Sequence, residues 1–105
     1  MTALRLALDA TMTAQRRQID ALTAYHDALL EHSNAVMAVR RVFYATEKAG
    51  RPADEDSEAT VELARSHNAL FRATETMREA DTAVRVADDA WFSAIAGLRL
   101  RGEEK

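Results

Sequence analysis

The chain has 105 residues, room for one domain, and a formal net charge of −3 at pH 7. It has no cysteine, which excludes disulfides and thiolate metal sites. No stretch approaches the ~18 uninterrupted apolar residues of a membrane span, and the acidic balance argues against nucleic acid, which needs Lys and Arg in surplus on one face.

From Met1 to Ala10 there is no long apolar run followed by a small-residue cleavage site, so a cytoplasmic protein is expected. Apolar residues make up 48% of the chain but aromatics only 6%, so alanine carries much of the apolar content. A core built from alanine is thin, and helices sharing it must approach closely. With three glycines and one proline, little interrupts a helix.

The first predicted element is a helix over about residues 3–49. Lys48 lies in its last turn, where a cation suits the negative end of the helix dipole. The turn follows at 50–55: Gly50 suits the left-handed position just past a helix, and Pro52 stands where the helix cannot continue. Asp54, Asp56 and Ser57 are each suited to cap the second helix, with Glu55 and Glu58 adding charge favourable to its positive end. That helix is predicted over about 56–101, with Gly102 as its final stop. Each helix would run ~65 Å at about 1.5 Å per residue.

The expected fold is all-α: a single helical-hairpin domain over 1–105, two long antiparallel helices. Every seventh residue supports it. The first helix carries Leu8, Gln15, Leu22, Leu29, Val36 and Phe43; the second carries Leu63, Leu70, Met77, Val84, Trp91 and Leu98. A strict seven-residue spacing implies left-handed supercoiling. Small residues run beside both columns: Ala7, Ala14, Ala21, Ala28 and Ala35, then Ala59, Ser66, Ala73, Ala80, Ala87 and Ala94.

In a hairpin, facing residues have numbers that add to a constant. The large columns predict 106, with Leu22 opposite Val84 and Leu29 opposite Met77. The charges Asp20 and Arg85, Asp27 and Arg78, Arg16 and Asp89, and Arg17 and Asp88 give a neighbouring value.

Apolar residues remain beyond that seam. Leu30, Met37, Tyr44 and Phe71 near the turn, with Trp91 and Phe92 near the open end, are the candidate interface to a partner or a second copy. A homodimer completing a four-helix bundle is expected. Polar residues interrupt the seam: Tyr25, His26, His32, His67, Thr74 and Asp81 are the candidate polar core layer, either a hydrogen-bonded layer fixing register or oligomeric state or a buried ligand or proton-sensing site. The predicted mirror sets Tyr25 against Asp81, His32 against Thr74 and Val39 against His67.

Catalytic and metal motifs do not emerge. Glu-x-x-His does not occur, and His26 and His32 are six apart on different faces of their helix. The serines have no nucleophile elbow and the glycines are isolated, so no catalytic residue, metal ligand set or cofactor is expected.

The stretch Arg16-Arg17-Gln18-Ile19-Asp20-Ala21-Leu22, followed by Leu29-Leu30, resembles the opening of the all-helical chorismate mutases. The resemblance covers roughly a third of the chain. It would imply a dimeric enzyme gripping a dicarboxylate with Arg and Lys side chains, of which Arg16 matches one. The later arginine positions fall on Ser33 and Ser57 and the lysine position near Tyr44, so the rest of the grip is missing. The paired long helices are also similar to an arm of a BAR-type membrane-curving domain. Arg40, Arg41, Lys48, Arg51 and Arg65 gather near the turn, but Asp54, Glu55, Asp56, Glu58 and Glu62 lie beside them. Small type VII secreted hairpins have this length, but their Trp-x-Gly turn is replaced here by Gly50-Arg51-Pro52. The function expected from the residues is therefore protein–protein interaction, as a small adaptor, chaperone, assembly component or inhibitor.

Overall fold

The computed structural model describes residues 2–52 and 57–103, and among these every regular element is helical. Helix α1 spans Ala3–Lys48 and α2 spans Glu58–Glu103, 46 residues each. The fold is an all-α helical hairpin.

Local chemistry sets the helix ends. Thr2 caps α1: its Oγ1 accepts from the Arg5 amide at 3.2 Å and its carbonyl from the Leu6 amide at 3.1 Å. At the other end Gly50 has φ 71°. The Gly50 amide donates to the Glu47 carbonyl at 3.0 Å and the Arg51 amide to the Thr46 carbonyl at 2.9 Å. These two bonds form the Schellman arrangement, which satisfies carbonyls the helix end would otherwise orphan. Ser57 caps α2, its Oγ accepting from the Thr60 amide at 3.3 Å. The alternative caps Asp54 and Asp56 lie outside the described residues. Gly102, expected to stop α2, lies within it instead. One unfavourable glycine near a helix end costs about 1 kcal/mol against alanine, which a continuous helix absorbs.

Packing divides the chain into two units. The terminal unit comprises Met1–Leu22 with Thr76–Lys105; the distal unit is Thr23–Glu75. In each, a stretch of α1 lies along a stretch of α2.

In the terminal unit the buried residues are Ala7, Ala14, Ala21, Ala80 and Ala87; in the distal unit they are Ala35 and Ser66. The seam therefore follows the small-residue columns. In α1 its second column is Leu4, Thr11, Gln18, Tyr25, His32 and Val39, every member half-buried. In α1 the large column expected at the centre lies at its flank, where Leu22 and Leu29 are exposed, while in α2 Leu63, Leu70, Met77, Val84 and Trp91 of that column stay half-buried. Alanine explains the exchange: where Cβ is the whole side chain, backbones approach closely and longer side chains are displaced sideways.

The pairing register also differs from expectation. Gln18 meets Asp81 in the terminal unit and His32 meets His67 in the distal unit. Both pairs of numbers add to 99, one heptad below the expected 106. Leu22 thus mirrors Met77, not Val84. A slip of seven leaves every column facing the same column, so column matching could not distinguish the two registers. The mirror of Glu58 is then residue 41, and α1 runs on beyond the start of α2 by about two turns.

Candidate interaction surface

The outward faces follow from the seam. A residue two positions from a buried column lies about 200° round the helix from it. Leu30, Met37 and Tyr44 hold that position relative to Ala28, Ala35 and Val42, and so point away from α2. All three are exposed, Met37 least at 53%. Phe71 in the distal unit and Phe92 in the terminal unit stand two positions before Ala73 and Ala94, and both are exposed. Trp91 is half-buried, in the large column of α2. The candidate interface residues of the distal unit are therefore not one patch. Leu30, Met37 and Tyr44 form a row on α1, and Phe71 stands on the outer side of α2.

The α1 row has company that spacing alone left in the seam. Leu29, Val36 and Phe43 precede its members, so three apolar doublets recur at seven-residue intervals. Leu29 is exposed while Val36 and Phe43 are half-buried. The doublets make a band running from the flank of the seam to its far side.

The candidate polar layer does not assemble as a buried layer. Tyr25, His32, Thr74 and Asp81 are half-buried, whereas His26 and His67 are exposed. Tyr25 and His26 meet edge to face at 6.0 Å between ring centroids. Thr74 Oγ1 donates to the Leu70 carbonyl of its own helix at 2.8 Å. Asp81, in the terminal unit, accepts from Gln18 Nε2 at 2.8 Å. His32 and His67 meet across the distal seam at 5.7 Å between centroids, tilted by 50°. The slipped register hid both cross-helix pairs from sequence reasoning; a mirror at 99 offers them as partners, but the columns alone do not favour it over 106.

Of the predicted charge pairs in the terminal unit, Arg17 finds Glu79 at 3.9 Å instead of Asp88. Both side chains are more than half exposed, so the pair contributes about 0–1 kcal/mol at most. In the distal unit Arg65 pairs with Glu62 one turn away on its own helix, which holds that cation in a mixed-charge surface.

Grooves lie beside the seam in both units. A groove of about 600 Å³ in the terminal unit forms where Ala10, Ala14, Ala83, Ala87 and Ala90 leave space, with Arg17 and Val86 among the other lining residues. A distal groove of about 500 Å³ is lined by Glu31, Asn34, Glu62 and Arg65 among others. Among the described residues no three His, Cys, Asp or Glu side chains cluster as a metal site, and no helix is long and apolar enough to cross a membrane.

The mutase-like positions are dispersed. Arg16, Ser33 and Tyr44 are exposed, and Ser57 is the cap of α2. Compared with protein-family models, curated proteins and solved structures, the chain matches none.

Proposed function

We propose that this chain is a protein-interaction module that associates through the outward band of α1, its first partner being a second copy of itself. The observation that carries this reading is the set of doublets Leu29–Leu30, Val36–Met37 and Phe43–Tyr44, whose outer members all face solvent. Apolar groups repeated along one helix face represent burial not yet realised, at roughly 25 cal/mol per Å² of apolar surface. Their seven-residue spacing suits another helix of the same supercoil, which an identical chain supplies. Two hairpins joined along α1 make a four-helix bundle. A larger protein offering an apolar helical groove is the alternative occupant.

Sedimentation velocity of the full chain tests this. A dimer mass is expected, falling to one chain in the variant Leu30→Glu, Met37→Glu, Tyr44→Glu with helicity retained. A single-chain mass for the unmodified protein overturns self-association, and a dimer that survives the triple substitution overturns the choice of face. Phe71→Ala, on the outer side of α2, should leave the dimer intact; loss of the dimer in that variant would move the interface off the α1 band. Ser33, Ser57 and Tyr44 supply no cation for a dicarboxylate, so a mutase-like site would lack its grip.

A further inference from the structure

Within the distal unit His32 of α1 and His67 of α2 stand with ring centroids 5.7 Å apart and planes tilted by 50°. We infer that they form a two-imidazole clamp for a divalent transition cation of the zinc or nickel type, tying α1 to α2 within the distal unit. A metal bound to an imidazole nitrogen at about 2.0–2.1 Å sits about 3.2 Å from that ring's centroid. Two rings sharing one ion are therefore separated by at most about 6.4 Å, and these stand 5.7 Å apart. A bent N–metal–N angle fits that spacing.

The surroundings leave both rings free to ligate. Three and four positions away on each helix stand Ala28, Leu29, Ala35 and Val36 around His32, and Leu63, Ala64, Leu70 and Phe71 around His67. None carries a charge. Among the described residues neither imidazole makes a hydrogen bond to protein, so no ring nitrogen is committed elsewhere. His67 is exposed and His32 half-buried, which gives an ion direct entry from solvent. Two imidazoles select zinc, nickel or copper over magnesium or calcium, which prefer oxygen. With no third ligand clustered there, water completes the coordination, and binding is weak enough to follow the supply of metal. An ion bridging two helices binds only their paired state and so stabilises it by mass action.

The inference is independent of self-association and is tested on the full chain without a polyhistidine tag. Nickel chloride in excess is expected to raise the thermal midpoint of helicity by about 5 °C or more, with reversal by a chelator and no effect of magnesium. His32→Asn and His67→Asn should each abolish the shift, and His26→Asn should keep it. An unshifted natural chain overturns the clamp, as does a shift that survives either substitution at the pair. Should a substitution lower metal-free helicity, the ring NMR signals of the natural chain decide. Zinc must move those of His32 and His67 more than those of His26, and equal movement of all three overturns the assignment.

Discussion

The terminal and distal units are built from the same two helices and the same heptad columns, yet their seams close differently. In the terminal unit five alanines are buried, and Ala80 has 0% of its surface exposed. Thr11 Oγ1 donates across that seam to the Ala87 carbonyl at 3.5 Å, and Gln18 to Asp81. Among the described residues of the distal unit only Ala35 and Ser66 are buried, each at 9%, while Ala28 and Ala73 of the same columns are half-buried. Two imidazoles face each other there. A small-residue column permits close approach, but its neighbours decide how far the approach goes. A threonine reaching a carbonyl takes little room across the seam; a ring facing a ring takes more.

The largest test of that difference is overpacking. Ala80→Leu inserts three carbons where no space remains and is expected to cost about 3 kcal/mol in urea unfolding. Ala35→Leu, at the looser seam, should cost about 1 kcal/mol. Equal costs would erase the distinction between the units. Hydrogen exchange should also show faster opening around Ala80 in the first variant and around Ala35 in the second.

A smaller effect belongs to the distal unit alone. Gly50 holds φ 71° with nothing within 4 Å of where a Cβ would stand. Space is therefore not the obstacle; the left-handed backbone is. Gly50→Ala should cost about 1–2 kcal/mol and Gly50→Asn distinctly less, because Asn tolerates that conformation. A neutral Gly50→Ala would mean that the end of α1 contributes nothing to distal stability.

The same contrast marks what was legible in the sequence. The hairpin was readable because its signals are local: Gly50 and Pro52 punctuate a chain whose other glycines, Gly97 and Gly102, fall in its last ten residues, and the columns hold their period on both sides. The outward row Leu30, Met37 and Tyr44 was readable because it depends on period alone, and a slip of whole heptads leaves it on the same face. Register was not readable. Columns facing one another at 106 also face one another at 99, and only individual partners differ. Gln18 with Asp81 and His32 with His67 are such partners. The choice of seam also escaped, because hydrophobicity ranks Leu22 above Ala21, whereas close packing buries Ala21 and leaves Leu22 exposed.

The smallest expected effect bears on register directly. Gln18 and Asp81 are both half-buried, and the bond between them at 2.8 Å is charge-assisted. Such a bond contributes about 1 kcal/mol net at a partly hydrated site. A double-mutant cycle isolates it: Gln18→Ala and Asp81→Ala should each cost that much, and the double variant little more than either. The cycle Tyr25→Phe with Asp81→Ala, which joins the partners expected at 106, should show no coupling. If it couples and the Gln18 cycle does not, the heptad slip is wrong.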